Sequence, residues 1–219
     1  MQLPGDAEAL TMERTGATSL GASTETAPDW CDPKIFQRNR LPPRSYYIPE
    51  TSVSLNGKWS FNYSSTPQHA PDGKACSTRP PDELGGRGEA WALITVPGHW
   101  QLQGYGRPHY TNIVYPFPVC PPYAPTENPT GTYCRDFDVP SKWERNSYIR
   151  LRFDGVDSAF YLWLNGTQIG YSQGSRNPAE FDVTDHVLRG EPNHLVVQVL
   201  QWCSGSYIED QDQWWLSGE

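Results

Sequence analysis

An all-β fold, an antiparallel sandwich or jelly roll, is what this sequence predicts, and three observations carry the prediction. Roughly seven or eight short runs rich in aromatic and β-branched residues recur at about ten-residue spacing between residues 52 and 202. Within them apolar residues alternate at period two, as Trp59, Phe61 and Tyr63 do. No stretch sustains the helical period, so neither a (β/α) barrel nor a nucleotide-binding βαβ unit is expected.

Taken in order, residues 1–28 are rich in Thr, Ala, Gly, Ser and Glu, with few large apolar groups. Such a segment buries too little surface to offset its ordering entropy, so a disordered tail is expected. Residues 29–51 open with DWCDPKIFQRNRLPPR, where aromatic anchors mix with turn-forming Pro and Asp. An extended arm lying on the surface of a domain over 52–219 is expected there. In LNGKWSFNY an Asn-Gly turn leads into a half-buried strand. Residues 64–90 are punctuated by Pro and Gly without periodicity and read as a loop. ALITVP is a short strand stopped by proline. Residues 98–131 are too irregular for helix and too aromatic for disorder, which suits a long ordered loop with a function.

Strands resume in TYCRDFDV, where Tyr133, Arg135, Phe137 and Val139 alternate, and in YIRLRFDGV, where Ile149, Leu151 and Phe153 do. AFYLWLNGTQIGYS holds two β runs around Asn165-Gly166, the favoured pair for a type I′ hairpin turn. FDVTDHVL is a short element, and HLVVQVLQW is a strand apolar on both faces.

Composition narrows the function. The 219 residues carry a formal net charge of −8 and no basic cluster, which argues against a nucleic-acid partner. No window is long and apolar enough to span a membrane. Residues 1–20 lack a basic stretch followed by an apolar one, so no secretory signal is expected. The five cysteines (Cys31, Cys76, Cys120, Cys134 and Cys203) are scattered, with no CxxC. They read as separate thiols in a reducing compartment, and the cytoplasm is the expected location.

Two stretches carry polar chemistry. Residues 205–218, GSYIEDQDQWWLSG, gather Glu209, Asp210, Asp212, two amides, Tyr207 and a tryptophan pair directly after the apolar strand. Carboxylates and amides bind hydroxyl-rich ligands, and indole faces suit the C–H side of a sugar ring. If extended, the stretch points Asp210 and Asp212 one way and Glu209 the other. A solvated acidic loop with core tryptophans is the other reading. In HYTNIVYP, Asn112 sits between tyrosines, either as a polar contact to a ligand or as a turn asparagine bonding its own backbone. Nucleophile motifs, zinc spacings and phosphate-binding Gly-rich loops are missing. Asp210 and Asp212 address one side of a ligand, whereas glycosidase carboxylates flank the scissile bond, so catalysis by this pair is not expected.

Several long stretches carry a resemblance: DWCDPKIFQRNR, SLNGKWSF, VPGHWQLQGYGRPHYTNIVYP, PPYAPTENPTGTY, FDGVDSAFYLWLNGTQIGYSQGSRNPAEFDVT and GSYIEDQDQWWLSG. Together they resemble, over residues 29–218, the amino-terminal domain of the large lactose-hydrolysing β-galactosidases of glycoside hydrolase family 2. The resemblance implies a galactose-binding-like jelly roll that supplies part of a β-galactoside pocket. It implies substrate contacts from Asn112 and Asp212, with Asp212 also helping to hold sodium. The two catalytic glutamates, and a magnesium ion, would belong to a later (β/α)₈ barrel. Such a chain, apparently truncated, would be inactive alone and would need the missing carboxy-terminal part of the same enzyme, which tends to form homo-oligomers.

Some members hold a further magnesium with groups equivalent to Asp29, Asp32, the Ile35 carbonyl, Gln173 and Ser204. Two of these depart from the family pattern, Asp32 where Asn is usual and Ser204 in place of Asp. The alternatives are a free-standing lectin-like module and the same domain of a β-glucuronidase or β-mannosidase. The EDQD and YTN stretches discriminate against the latter.

Overall fold

The computed structural model describes residues 27–45, 47–73, 91–110, 115–143, 147–209 and 214–215, so the expected tail lies almost wholly outside it. Strands β1 (Gln37–Arg38), β2 (Gly57–Ser64), β3 (Ala92–Val96), β5 (Thr130–Phe137), β7 (Ala159–Leu164), β8 (Thr167–Gln173) and β10 (Asn193–Leu200) form one sheet. Their order is β1-β8-β7-β10-β5-β2-β3, and every pairing is antiparallel. A second layer pairs β6 (Arg150–Phe153) with β9 (Ala179–Asp182). A third, two-residue ladder pairs β4 (His109–Tyr110) with β11 (Trp214–Trp215). Among the described residues the only helical segments are short 3₁₀ turns. The architecture is the all-β sandwich that the sequence predicts.

Strand alternation builds the core. Phe61 on β2, Tyr133 on β5, Leu162 on β7 and Val197 on β10 face Leu151, Phe153 and Phe181 of the second layer. The opposite face of the large sheet is buried too. Ala159, Tyr161 and Leu200 pack there against Trp30, while Val196 and Cys134 pack with Trp91 and Trp163. Strand β10 is therefore apolar on both faces, as its composition predicts. The Asn165-Gly166 hairpin also forms, with φ of 52° and 80°, the left-handed pair that a type I′ turn requires.

Strand β2 departs from expectation, because its polar face is covered as well. Ser60, Asn62 and Ser64 are buried, and the Ser64 hydroxyl donates to Asn62 Oδ1 at 3.0 Å and to the His69 carbonyl at 3.2 Å. The chain after β2 folds back over this face, and Gln198 Nε2 donates to the Pro71 carbonyl at 3.3 Å. A strand facing solvent and one facing a covering loop have the same alternating pattern, which is why the sequence reads as half-buried. The cysteines also need a correction. Cys31, Cys120 and Cys203 are free, but Cys134 on the covered face is disulfide-bonded, its partner lying outside the described residues.

The arm closes the open edge of the sandwich. Trp30 packs edge-on against Tyr161, β1 pairs with β8, and Leu41 N donates to the Glu180 carbonyl on β9 at 2.8 Å. Arg44 then meets the Glu180 carboxylate with two hydrogen bonds of 2.7 and 2.8 Å. One segment thus ties the two layers together. At the other edge, the Gln103 side-chain amide takes the place of a neighbouring strand for β3. It accepts from Thr95 N at 2.8 Å and donates to Thr95 O at 3.0 Å, which blocks strand addition there.

Close packing makes a specific prediction at Gly131, the second residue of β5, which pairs with Val199 on one side and Tyr63 on the other. A Cβ there would lie 2.6 Å from the Trp100 ring and 2.7 Å from the Phe61 ring, both in the core. Gly131→Ala should lower the unfolding free energy by about 1–3 kcal/mol, the usual cost of overpacking, as read from the urea midpoint. An unchanged midpoint would show that these rings can move aside.

Candidate functional site

The site sits where β10 ends. Leu200 is the last strand residue, and the chain is then clamped by Asn128, which is fully buried. Asn128 Nδ2 donates to the Trp202 carbonyl, and Trp202 N donates to Asn128 Oδ1, both at 2.9 Å. The amide replaces the next rung of the ladder and fixes the direction in which the chain leaves the sheet. A 3₁₀ turn follows over Ser204–Tyr207, begun by Cys203 N donating to Ser206 Oγ at 3.1 Å. The acidic stretch therefore starts as a tight turn, where the sequence allowed an extended run.

Tyr207 is the hub joining this turn to the proline-rich loop. Its hydroxyl donates to the Tyr123 carbonyl at 2.8 Å and accepts from Cys120 N at 3.2 Å. Its own carbonyl accepts from the Tyr115 hydroxyl at 3.1 Å. The rings of Tyr115 and Phe117 pack against it, and Trp202 meets both Phe117 and His109 edge-on. Burial, with the nearby Arg107 charge, keeps the His109 imidazole below its ordinary pKa. These ring contacts and hydrogen bonds join the described residues 115–123 of the proline-rich loop to the turn.

Glu209 points inward. Its carboxylate accepts from Ser175 N at 3.1 Å and from the Ser175 hydroxyl at 3.0 and 2.9 Å. Burial raises the Glu209 pKa, the Ser175 bonds pull it back down, and the Asp157 charge raises it again. Asp157 is raised chiefly by burial and is partly relieved by Arg176, whose guanidinium lies 3.9 Å away. Cys203, fully buried behind the turn, accepts from the Ser158 hydroxyl at 3.4 Å, and burial pushes its thiol up to about 11. The solvated-loop reading does not hold for Glu209.

Asn112, Asp210 and Asp212 lie outside the described residues. Their neighbours do not. The β4–β11 ladder pairs Tyr110 with Trp214 and His109 with Trp215, joining backbone two residues before Asn112 to backbone two residues after Asp212. Two stretches separated by about a hundred residues thus become adjacent. Sequence reasoning missed Asn128, Asp157, Ser175 and Arg176. A buried asparagine clamp and a serine beneath a carboxylate leave no periodic or motif signal.

The arm residues marked as equivalents of a magnesium site do not fit a divalent cation. The Asp29 carboxylate is held by Arg38 Nε at 2.6 Å and Nη2 at 2.8 Å, and that pairing lowers its pKa despite the opposing effect of burial. Asp32 Oδ1 instead accepts from Lys34 N at 2.9 Å. Gln173 Nε2 spends its hydrogens within the site, on the Tyr171 hydroxyl at 2.7 Å, Ser204 Oγ at 3.3 Å and the Ile35 carbonyl at 3.4 Å. A donor N–H directed at the carbonyl and a guanidinium on the carboxylate leave an unsuitable ligand set.

An antiparallel β-sandwich with an aromatic-braced acidic turn at one end defines the class. Residues 53–219 match the family model described as "Glycosyl hydrolases family 2, sugar binding domain". The chain belongs to that family. It is 46% identical over 191 residues to a beta-galactosidase of Kluyveromyces lactis, covering 85% of this chain and 18% of that protein. It is 44% identical over 204 residues to a beta-galactosidase of Alteromonas mediterranea, covering 87% and 19%. With a beta-galactosidase of Psychromonas ingrahamii it shares 50% identity over 164 residues, covering 75% and 15%. The chain thus spans less than a fifth of the length of these relatives.

The paired carboxylates predict a pH dependence of stability. Glu209 and Asp157 have folded pKa values above their ordinary values of 4.5 and 3.8. Their contribution is complete below those values and is lost as pH rises through the folded ones. Asp29, Glu180 and Asp182 are lowered, so they act in the opposite sense, at more acid pH. Glu209→Gln should therefore flatten the fall in melting temperature on the neutral side of the carboxylate range and leave the acid limb in place. The same slope in variant and parent would remove Glu209 from this account.

Proposed function

We propose that the chain is the sugar-binding part of a β-galactosidase and supplies one wall of a pocket for terminal β-D-galactosyl groups. The observation that carries the reading is the β4–β11 ladder, which sets the stretch leading into Asn112 beside the one leaving Asp212. The relatives at 44–50% identity are named beta-galactosidases, which supports the choice of sugar. In this reading Asp212 accepts hydrogen bonds from ring hydroxyls, and the Asn112 amide adds a neutral contact. The turn that ends at Glu209 is anchored through Asn128, Tyr207 and Glu209 itself. An acceptor that is already ordered binds more tightly than one on a loose loop, because less freedom is lost on binding.

Hydrolysis itself requires two carboxyl groups on either side of the scissile bond. We assign these to glutamates of a (β/α)₈ barrel in the remainder of the enzyme, which would also carry the magnesium ion. Sodium bound at Asp212 would neutralise that carboxylate and fix its orientation toward the sugar. The full enzyme is proposed to be a homo-oligomer acting in the cytoplasm. The Cys134 disulfide opposes that location, and thiol counting on protein from its own cells decides the matter: Cys134 should be reduced if the enzyme is cytoplasmic.

Two further outcomes are expected. The 219-residue chain alone should not hydrolyse a chromogenic β-galactoside, and turnover that responded to a substitution inside this chain would overturn the reading. In the full-length enzyme, Asp212→Asn should reduce kcat/KM by about 10–100-fold, since a hydrogen bond to a charged group contributes roughly 1.5–3 kcal/mol. Asn112→Ala should cost less, and Asp210→Asn serves as the control. Loss with Asp210→Asn and none with Asp212→Asn would move the contact to the other carboxylate.

A further inference from the structure

A second concavity lies along β6. That strand pairs with β9 on one side only, and among the described strands its other edge has no neighbour. The gap between this edge, the segment at 47–56 and residues 138–143 and 147–148 is a cleft of about 990 Å³. That is the size of a small-molecule site. It opens at the end of the sandwich where Phe137 pairs with Asn193, whereas the acidic turn follows Leu200 at the opposite end of β10.

The lining is mixed in a particular way. The floor is apolar, formed by Trp59, Val139 and Phe153, all buried. Aromatic rings stand out at the rim, with Tyr148 at 80% exposure and Tyr47 at 63%. The charges nearly balance. Arg44, Lys142, Arg150 and Arg152 line the cleft opposite Asp138, Asp154 and Glu180. Arg44 and Arg152 are spent on Glu180 and Asp154 at 2.7–2.9 Å. Arg150 makes a loose 3.7 Å contact with Glu180, also acts on the Asp182 carboxylate through its charge, and keeps 43% of its side chain exposed.

Four cationic and three acidic side chains leave a single net positive charge, too little to select a polyanion and of the wrong sign for a polycation, and a purely apolar ligand would cover guanidinium and ammonium groups without satisfying them. A neutral ring compound with an apolar face and a hydroxylated edge meets both requirements. Its C–H face lies on a tyrosine ring, and its hydroxyls accept from Arg150 and Lys142.

We propose that this cleft binds a neutral saccharide, seated on Tyr148 and held by Arg150 beside the unpaired edge of β6. The proposal does not depend on the galactosidase reading, only on membership of a sugar-binding family.

Backbone NMR titration of the 219-residue chain with galactose and with lactose tests it. Saturable shifts are expected at Tyr148, Arg150 and the Trp143 indole, with Kd in the millimolar range. Tyr148→Ala and Arg150→Ala should each weaken that Kd about tenfold or more. Tyr148→Phe, which keeps the ring, should retain binding. Both tyrosine variants sit at an exposed position, so their folding is not at issue. Shifts confined to the surroundings of Tyr115 and Tyr207 would support the galactose pocket and sink the cleft. Shifts at Tyr148 that survive both alanine variants, or that only an added extended peptide produces, would sink it too.

Discussion

Strand β10 is the constraint on which the rest depends. Paired with β5 on one side and β7 on the other, it is the centre of the large sheet and is buried on both faces. Leu195, Val197 and Val199 enter the core between the layers, while Val196 and Leu200 pack on the covered outer face. A strand so enclosed cannot slip by one residue without exchanging its two apolar sets. Its end is therefore a fixed point, and the acidic turn begins there.

From that point, polar groups continue the ordering that apolar packing started. Asn128 adds one more rung beyond the last ladder residue, and the Ser206 cap starts the 3₁₀ turn. Tyr207 and Glu209 then fasten that turn to two different parts of the chain, the proline-rich loop and the turn at Ser175. Each bond is of ordinary strength. Their combined effect is to fix the course of the backbone as far as residue 209. The cost is two partly buried carboxylates, Glu209 and Asp157, whose pKa values are raised chiefly by burial.

The arm shows how the same residues can serve a different purpose from the one that a resemblance implies. Asp29, Gln173 and Ser204 occupy positions equivalent to metal ligands in some relatives, but here Arg38 and the Gln173 amide supply the positive ends within the protein itself. The arm is held by strand pairing with β8, by Trp30 on Tyr161 and by Arg44 on Glu180.

The sequence by itself determined the strand class, the Asn165-Gly166 hairpin and the two-faced burial of β10, because each depends on neighbours within a few residues. Period-two alternation and a turn pair that tolerates positive φ are local facts. The family was also legible, since its stretches are long and irregular. Tertiary structure alone decided that the polar face of β2 is covered, that Glu209 turns inward onto Ser175, and that the 109–110 and 214–215 segments pair. Each of these joins residues from distant parts of the chain, and no periodic pattern records which distant segment a polar side chain will meet.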